Sequence, residues 1–227
     1  NNYLFSLNGG SMKIGIIGAM DVEIKKFIEI LNLKNIGKDI YYKKIDNKEI
    51  FLVKSGIGKV NSAATTQNLI DIYKVDLIIN TGCAGSLLEE VKVLDVVISS
   101  YVTYHDFEPL RIMEFSVPDK GSPKASKELI KIAKEECDKL NLKSFIKPIA
   151  SGDCFVTNEK QRDMIQKKTN AFAVDMESGS IGHIARKNEI PFVAIRTISD
   201  FADGVEEFEE RAGNISGEIV KYIIERI

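Results

Sequence analysis

Three acids in this chain, Glu23, Glu177 and Asp200, stand where an α/β protein does its chemistry. Each follows a short β-rich run, and ligands in open α/β folds bind beyond the carboxyl ends of the strands. Glu23 comes one short turn after Lys13–Gly18, and Glu177 falls between Ala171–Val174 and the helix that succeeds it. Asp200 closes Val193–Ser199. Two glycine turns, Ser55-Gly56-Ile57-Gly58 and Thr81-Gly82-Cys83-Ala84-Gly85-Ser86, fall at equivalent points, and Phe155 follows Ser151-Gly152-Asp153-Cys154. One rim is therefore predicted to hold three carboxylates, two glycine turns and an aromatic ring. Carboxylates so grouped can give and take protons. Taken singly, Glu23 and Glu177 also read as solvated first-turn acids that complement a helix dipole; three that converge favour a site.

The elements needed to position them are legible as a changing period. Met12–Gly18 is an apolar strand, and Ile24, Phe27, Ile28 and Leu31 at i, i+3, i+4, i+7 predict a helix from about Asp21 to Leu33. Ile40–Ile45 and Glu49–Val53 flank Asp46-Asn47-Lys48 as a hairpin. A helix after Gly58, a strand Asp76–Asn80, a strand Asp95–Tyr104, a helix over 124–140, a strand Phe145–Ala150, a helix over 158–168, a helix Ser178–Lys187, a strand Pro191–Ser199 and a final helix through Ile219 and Ile223 complete the pattern. His105 to Pro123 shows no period and holds three of the five prolines, which predicts a functional loop. Strands alternating with helices predict an α/β fold: a single-domain three-layer αβα sandwich around a mixed, mostly parallel sheet. Residues 1–11 are polar and aperiodic and read as an artificial leader, with the natural domain at 12–227.

Composition excludes several partners. The 227 residues carry 31 Lys+Arg against 33 Asp+Glu, a net charge of −2, so the basic excess of a nucleic-acid binder is missing. No apolar run is long enough to span a bilayer. Cys83, Cys137 and Cys154 are sparse and odd in number, which speaks against a disulfide framework and, with no secretory signal, predicts a reducing cytoplasm. The three thiols are expected to be small buried hydrophobes. His105 and His183 have no carboxylate cluster at ligand spacing beside them, so structural roles and no metal are expected. Gly15-Ile16-Ile17-Gly18 is a GxxG and not the GxGxxG of a dinucleotide site, and the acids Asp21 and Glu23 that follow would repel phosphate. Gly58-Lys59-Val60 lacks the upstream glycine and the hydroxyl residue of a P-loop.

Six ordered segments carry a family resemblance. Met12 to Met20 with Glu23, Lys54 to Asn61, Ile79 to Gly85, Ser151-Gly152-Asp153, Met176-Glu177 and Arg196 to Asp200 resemble the bacterial 5′-methylthioadenosine/S-adenosylhomocysteine nucleosidases of the nucleoside phosphorylase superfamily. The likeness spans nearly all of 12–227. It implies hydrolysis of the bond between adenine and a 5′-thio-substituted ribose. It makes Asp200 the general acid to N7 of the purine, its proton retained near neutral pH by burial or by the incoming base, and Glu23 the group that activates water. Glu177 would accept hydrogen bonds from the ribose hydroxyls, Met176 would pack near the ribose and sulfur, and Ile57 would be a further substrate-binding residue. Phe155 would stack on adenine while the backbone of Val156 reads its edge. Cys83, Gly85 and Ser199 would line the base and water side, and Arg196 would hold Glu23 or the water. No cofactor is implied, and a homodimer is, with the helix bearing Ala63 and Ala64 as a contact face.

The resemblance has departures. Cys83 stands where the family commonly has Ser, and Asp175 where it has Glu. The loop after Tyr104-His105-Asp106 and the shortened stretch Phe201–Ile215 differ from the usual pattern around the 5′ group. A nucleosidase for another adenosine derivative, 5′-deoxyadenosine or an aminofutalosine-like compound, is thus an alternative. A phosphorylase needs arginines for phosphate, and the chain between Met12 and Met113 has only Arg111. A nucleoside binder without turnover is the remaining reading, against which the three intact acids argue.

Overall fold

The computed structural model describes residues 10–107, 121–202 and 209–227, with the side chain of Glu209 excepted. Strand β1 (Met12–Gly18) is a nearly continuous apolar run because it is covered on both faces, and Ile14, Ile16 and Ile17 are fully buried. Helix α1 (Asp21–Leu31) follows, then β2 (Lys34–Gly37), β3 (Ile40–Ile45), β4 (Lys48–Lys54), α2 (Lys59–Asp71), β5 (Leu77–Ser86) and β6 (Val96–Tyr104). The second half runs α3 (Lys127–Lys139), β7 (Ser144–Ser151), α4 (Glu159–Thr169), β8 (Ala173–Asp175), α5 (Ser178–Lys187), β9 (Phe192–Asp200) and α6 (Glu209–Arg226). The fold is the expected mixed α/β one with a central sheet. The β3–β4 hairpin is antiparallel, and β1 runs parallel to both β4 and β5.

Two sequence expectations are corrected. Thr81–Ser86 is not a glycine turn but the second half of β5, kept extended by parallel pairing of residues 78–85 with β9, with a register irregularity between Ala84 and Gly85. The glycines there save space rather than turn the chain: a Cβ on Gly82, where φ is +149°, would overlap both the Glu23 carboxylate and the Arg196 guanidinium. The helix predicted to Leu33 stops at Leu31, because Asn32 takes a left-handed conformation (φ 50°) as its cap and the chain turns into β2. That strand has no apolar period, its four residues all being exposed, so nothing in its composition announces it.

The sheet order is β2-β3-β4-β1-β5-β8-β7-β6-β9, and β9 also pairs with β5, so the last five strands close into a ring. Strand β5 is where the ring leaves the open sheet. Along one side it pairs with β1 only as far as Asn80, and with β8 only from Gly85. Between those points its backbone has no strand neighbour on that side, and polar side chains occupy the gap.

Candidate active site

Glu23 occupies the gap beside β5. As the third residue of α1 it reaches back, and its Oε2 accepts from the N–H groups of Ala19 (2.6 Å) and Met20 (3.1 Å). Its Oε1 accepts from Cys83 N (3.0 Å) and from the Cys83 thiol (3.5 Å). Glu23 is therefore both a helix-start ligand, as the structural alternative holds, and a buried carboxylate, 2% exposed, facing a cavity.

Arg196, on β9, is fully buried behind it. Its Nη1 donates to Glu23 Oε1 (3.5 Å) and to the carbonyl of Thr81 (3.2 Å). Its Nε donates to Asp175 Oδ2 (2.7 Å), and its Nη2 meets Glu177 Oε2 (3.4 Å). One guanidinium thus serves three carboxylates. Burial alone would lower its basicity, but Asp175, Glu23 and Glu177 raise it beyond the ordinary arginine range, so it stays charged. Glu177 completes its bonding through Oε1, which accepts from Gly58 N (2.9 Å). Burial pushes the Glu177 carboxyl up to about 7; Arg196 opposes that, while the negative charges of Asp175 and Glu23 add to it.

Asp175 is the residue the sequence reading undervalued. It closes β8, accepts from the hydroxyls of Ser151 and Ser178 and from the N–H of Ser178, and ion-pairs with Arg196. It sets the guanidinium in place. Its signal was the segment Asp175-Met176-Glu177 itself, two acids at i, i+2 on a strand-to-helix turn.

Asp200 lies at the far lip. Its Oδ2 accepts from Ser199 Oγ (2.7 Å) and its Oδ1 from Ala202 N (2.7 Å), which turns the carboxylate back on its own chain. Ala202 is buried with φ +55°, a strained position for a residue with a Cβ.

Glu23, Ile57, Cys83, Gly85, Phe155, Val156, Met176, Glu177, Ser199 and Asp200 all line one cavity, joined by Ala19, Met20, Ala84, Cys154, Val174, Asp175 and Ala202. Arg196 does not face it. Phe155 is half exposed at the mouth, and the wall holds no lysine, arginine or histidine among the described residues. Cys137 is the buried hydrophobe expected, its thiol raised to about 11 by burial; Cys83 is only partly buried, and Cys154 is exposed at the rim, contrary to expectation. His183 Nδ1 meets Tyr104 Oη (3.2 Å), and the ring of His105 is buried against Gly152. The predicted loop 105–123 lies outside the described residues from 108 to 120, as does the segment 203–208 of the shortened stretch.

A sheet that splits at β5, with carboxylates gathered at the split around a cavity whose described lining carries no cationic side chain, defines the site of an α/β protein built for acid–base chemistry. The chain belongs to the phosphorylase superfamily, whose family model matches residues 13–225. It is 36% identical over 222 residues to the 5′-methylthioadenosine/S-adenosylhomocysteine nucleosidase of Buchnera aphidicola, covering 93% of this chain and 96% of that one. A Helicobacter pylori nucleosidase of the same name, solved as a mutant with 5′-methylthioadenosine in its active site, superposes with a TM-score of 0.87 at 28% identity over 96% of this chain and 100% of that one. A futalosine hydrolase mutant from Helicobacter pylori superposes with a TM-score of 0.86, also at 28% identity, over 95% and 100%.

Proposed function

We infer that this chain is a hydrolase that cleaves the N-glycosidic bond of 5′-methylthioadenosine and S-adenosylhomocysteine and releases adenine. The observation that carries hydrolysis over phosphorolysis is the charge of the cavity. Glu23 faces it, and the nearby Arg196 is consumed by three carboxylates and turned away. Among the described residues of the wall, the charged side chains a phosphate dianion would meet are all carboxylates, whereas water would meet an acceptor.

Departure of adenine leaves an oxocarbenium-like ribose, and an adenine anion is a poor leaving group. Asp200 delivers a proton to N7, with the Ser199 hydroxyl fixing its orientation. Glu23, held by the backbone of Ala19, Met20 and Cys83, takes the proton of the attacking water. Glu177 accepts from the ribose hydroxyls, Phe155 stacks on the base, and the Val156 backbone reads its edge. Met176 and Ile57 pack on the sugar and 5′ sulfur, and Gly85 keeps the base side open, since a Cβ there would crowd Asp200 and Ala202. No cofactor enters this chemistry. Residues 12–227 act as one unit, which the family match over 13–225 supports. The reading includes a homodimer through the α2 face, supported by the exposure of Val60 (79%), and a reducing cytoplasm.

The second reading, a nucleosidase for another adenosine derivative, is supported by the structural likeness to a futalosine hydrolase, whose TM-score of 0.86 falls just below the 0.87 of the nucleosidase. Free base released from 5′-methylthioadenosine, S-adenosylhomocysteine, 5′-deoxyadenosine and aminofutalosine decides between them. The first two are expected to be cleaved fastest, at a rate independent of phosphate. Strict phosphate dependence overturns hydrolysis, and faster cleavage of aminofutalosine overturns the 5′-thio preference.

A further inference from the structure

Glu177 depends for one of its two bonds on the N–H of Gly58, a residue with no side chain and φ of +96°. Two buried hydroxyls tie those two residues together from behind. Ser62 Oγ lies 2.9 Å from Gly58 O, Ser180 Oγ lies 2.8 Å from Glu177 O, and the two hydroxyl oxygens are 2.6 Å apart. Ser62 is fully buried and Ser180 is 4% exposed, so water does not substitute for either. The contacts close a ring: Gly58, Ser62, Ser180, Glu177 and back to Gly58. Two protons serve its three hydroxyl contacts. Whichever way the central bond points, one proton joins α2 to α5 and the other caps the first turn of one helix.

We propose that Ser62 and Ser180 are positioning residues that set the Glu177 carboxylate for the ribose hydroxyls by fixing the start of α2 against the start of α5. The proposal rests on the reading of Glu177 as the ribose ligand. Neither hydroxyl lines the cavity, so neither touches substrate.

The test compares the wild type with Ser62→Ala, Ser180→Ala and the double variant. It uses turnover of 5′-methylthioadenosine and competitive inhibition by its 2′,3′-dideoxy analogue, which lacks the hydroxyls that Glu177 would hold. Each single variant is expected to raise KM about five- to tenfold with kcat within about threefold, the scale of one lost buried hydrogen bond. The double variant is expected to match the singles, because a link is broken only once. The inhibition constant of the dideoxy analogue is expected to stay within about twofold. Equal weakening for both ligands, an unchanged KM, or additive losses overturn the proposal. Each serine reads the same link from its own helix, so a fold defect in one variant leaves the other decisive. A wild type that releases no adenine refutes the functional reading instead, and direct binding of 5′-methylthioadenosine and of the dideoxy analogue, measured by calorimetry, then reports on the Ser62–Ser180 link.

Discussion

Glu23 accepts backbone hydrogen bonds at both carboxylate oxygens, so it is oriented before any ligand arrives. Replacing it by Gln keeps the shape and removes the basicity; Asp200→Asn does the same to the acid. Each change is expected to cut kcat by at least about 100-fold, measured as adenine release, and a near wild-type rate for either refutes its role. Glu177 makes a pH prediction. Its carboxyl sits at about 7 in the free protein, above the ordinary value of 4.5. Ribose hydroxyls donate to the ionised form, so binding is expected to weaken as pH falls below about 7 and to release a proton there. Calorimetry at pH 6 in buffers of different ionisation enthalpy measures that proton, and Glu177→Gln should abolish it. The stability sign is opposite. A raised folded pKa contributes stability that is present below 4.5 and lost as pH rises through about 7, so the empty protein should melt lower at neutral pH than Glu177→Gln does, relative to acid. The acids were legible because each follows a strand. The Ser62–Ser180 pair was not, since the two lie 118 positions apart and only the packing of two helices unites them.

At the scale of elements, β5 does more than its apolar half suggests. Its residues 81–86, read from sequence as a turn, continue as strand because β9 pairs with them as far as Gly85, and glycines are tolerated where a neighbour needs the room. Gly82→Ala is expected to drive a methyl group into the Glu23–Arg196 pair. Overpacking of this kind costs about 1–3 kcal/mol, read as a lower urea midpoint, and kcat should drop with it because Glu23 is displaced; an unchanged midpoint with full activity would show that the pair has room to move. Local period located β1, the β3–β4 hairpin and α5 well. It missed β2, whose residues are all exposed, and it ended β5 early, because a parallel partner 114 positions further on is a tertiary fact that no window of sequence contains.

For the whole molecule, the α2 face is the contact surface that goes with the homodimer implied by the family resemblance. Val60 at 79% exposure is an apolar side chain on the first turn of that helix. Sedimentation equilibrium is expected to return twice the mass of one chain, and Val60→Glu is expected to shift it toward the monomer; a wild type that sediments as a single chain overturns the dimer. The ring made by the last five strands has a separate consequence. A nine-stranded sheet ordinarily ends in two open edges, but here β9 turns back onto β5, and among the described strands β2 is the one with a neighbour on one side only. That edge is four residues long, Lys34-Asn35-Ile36-Gly37, with one exposed apolar side chain and one lysine. Short, charged edges are poor templates for intermolecular strand addition. Closure at one end and brevity at the other therefore protect a large sheet from growing into fibrils.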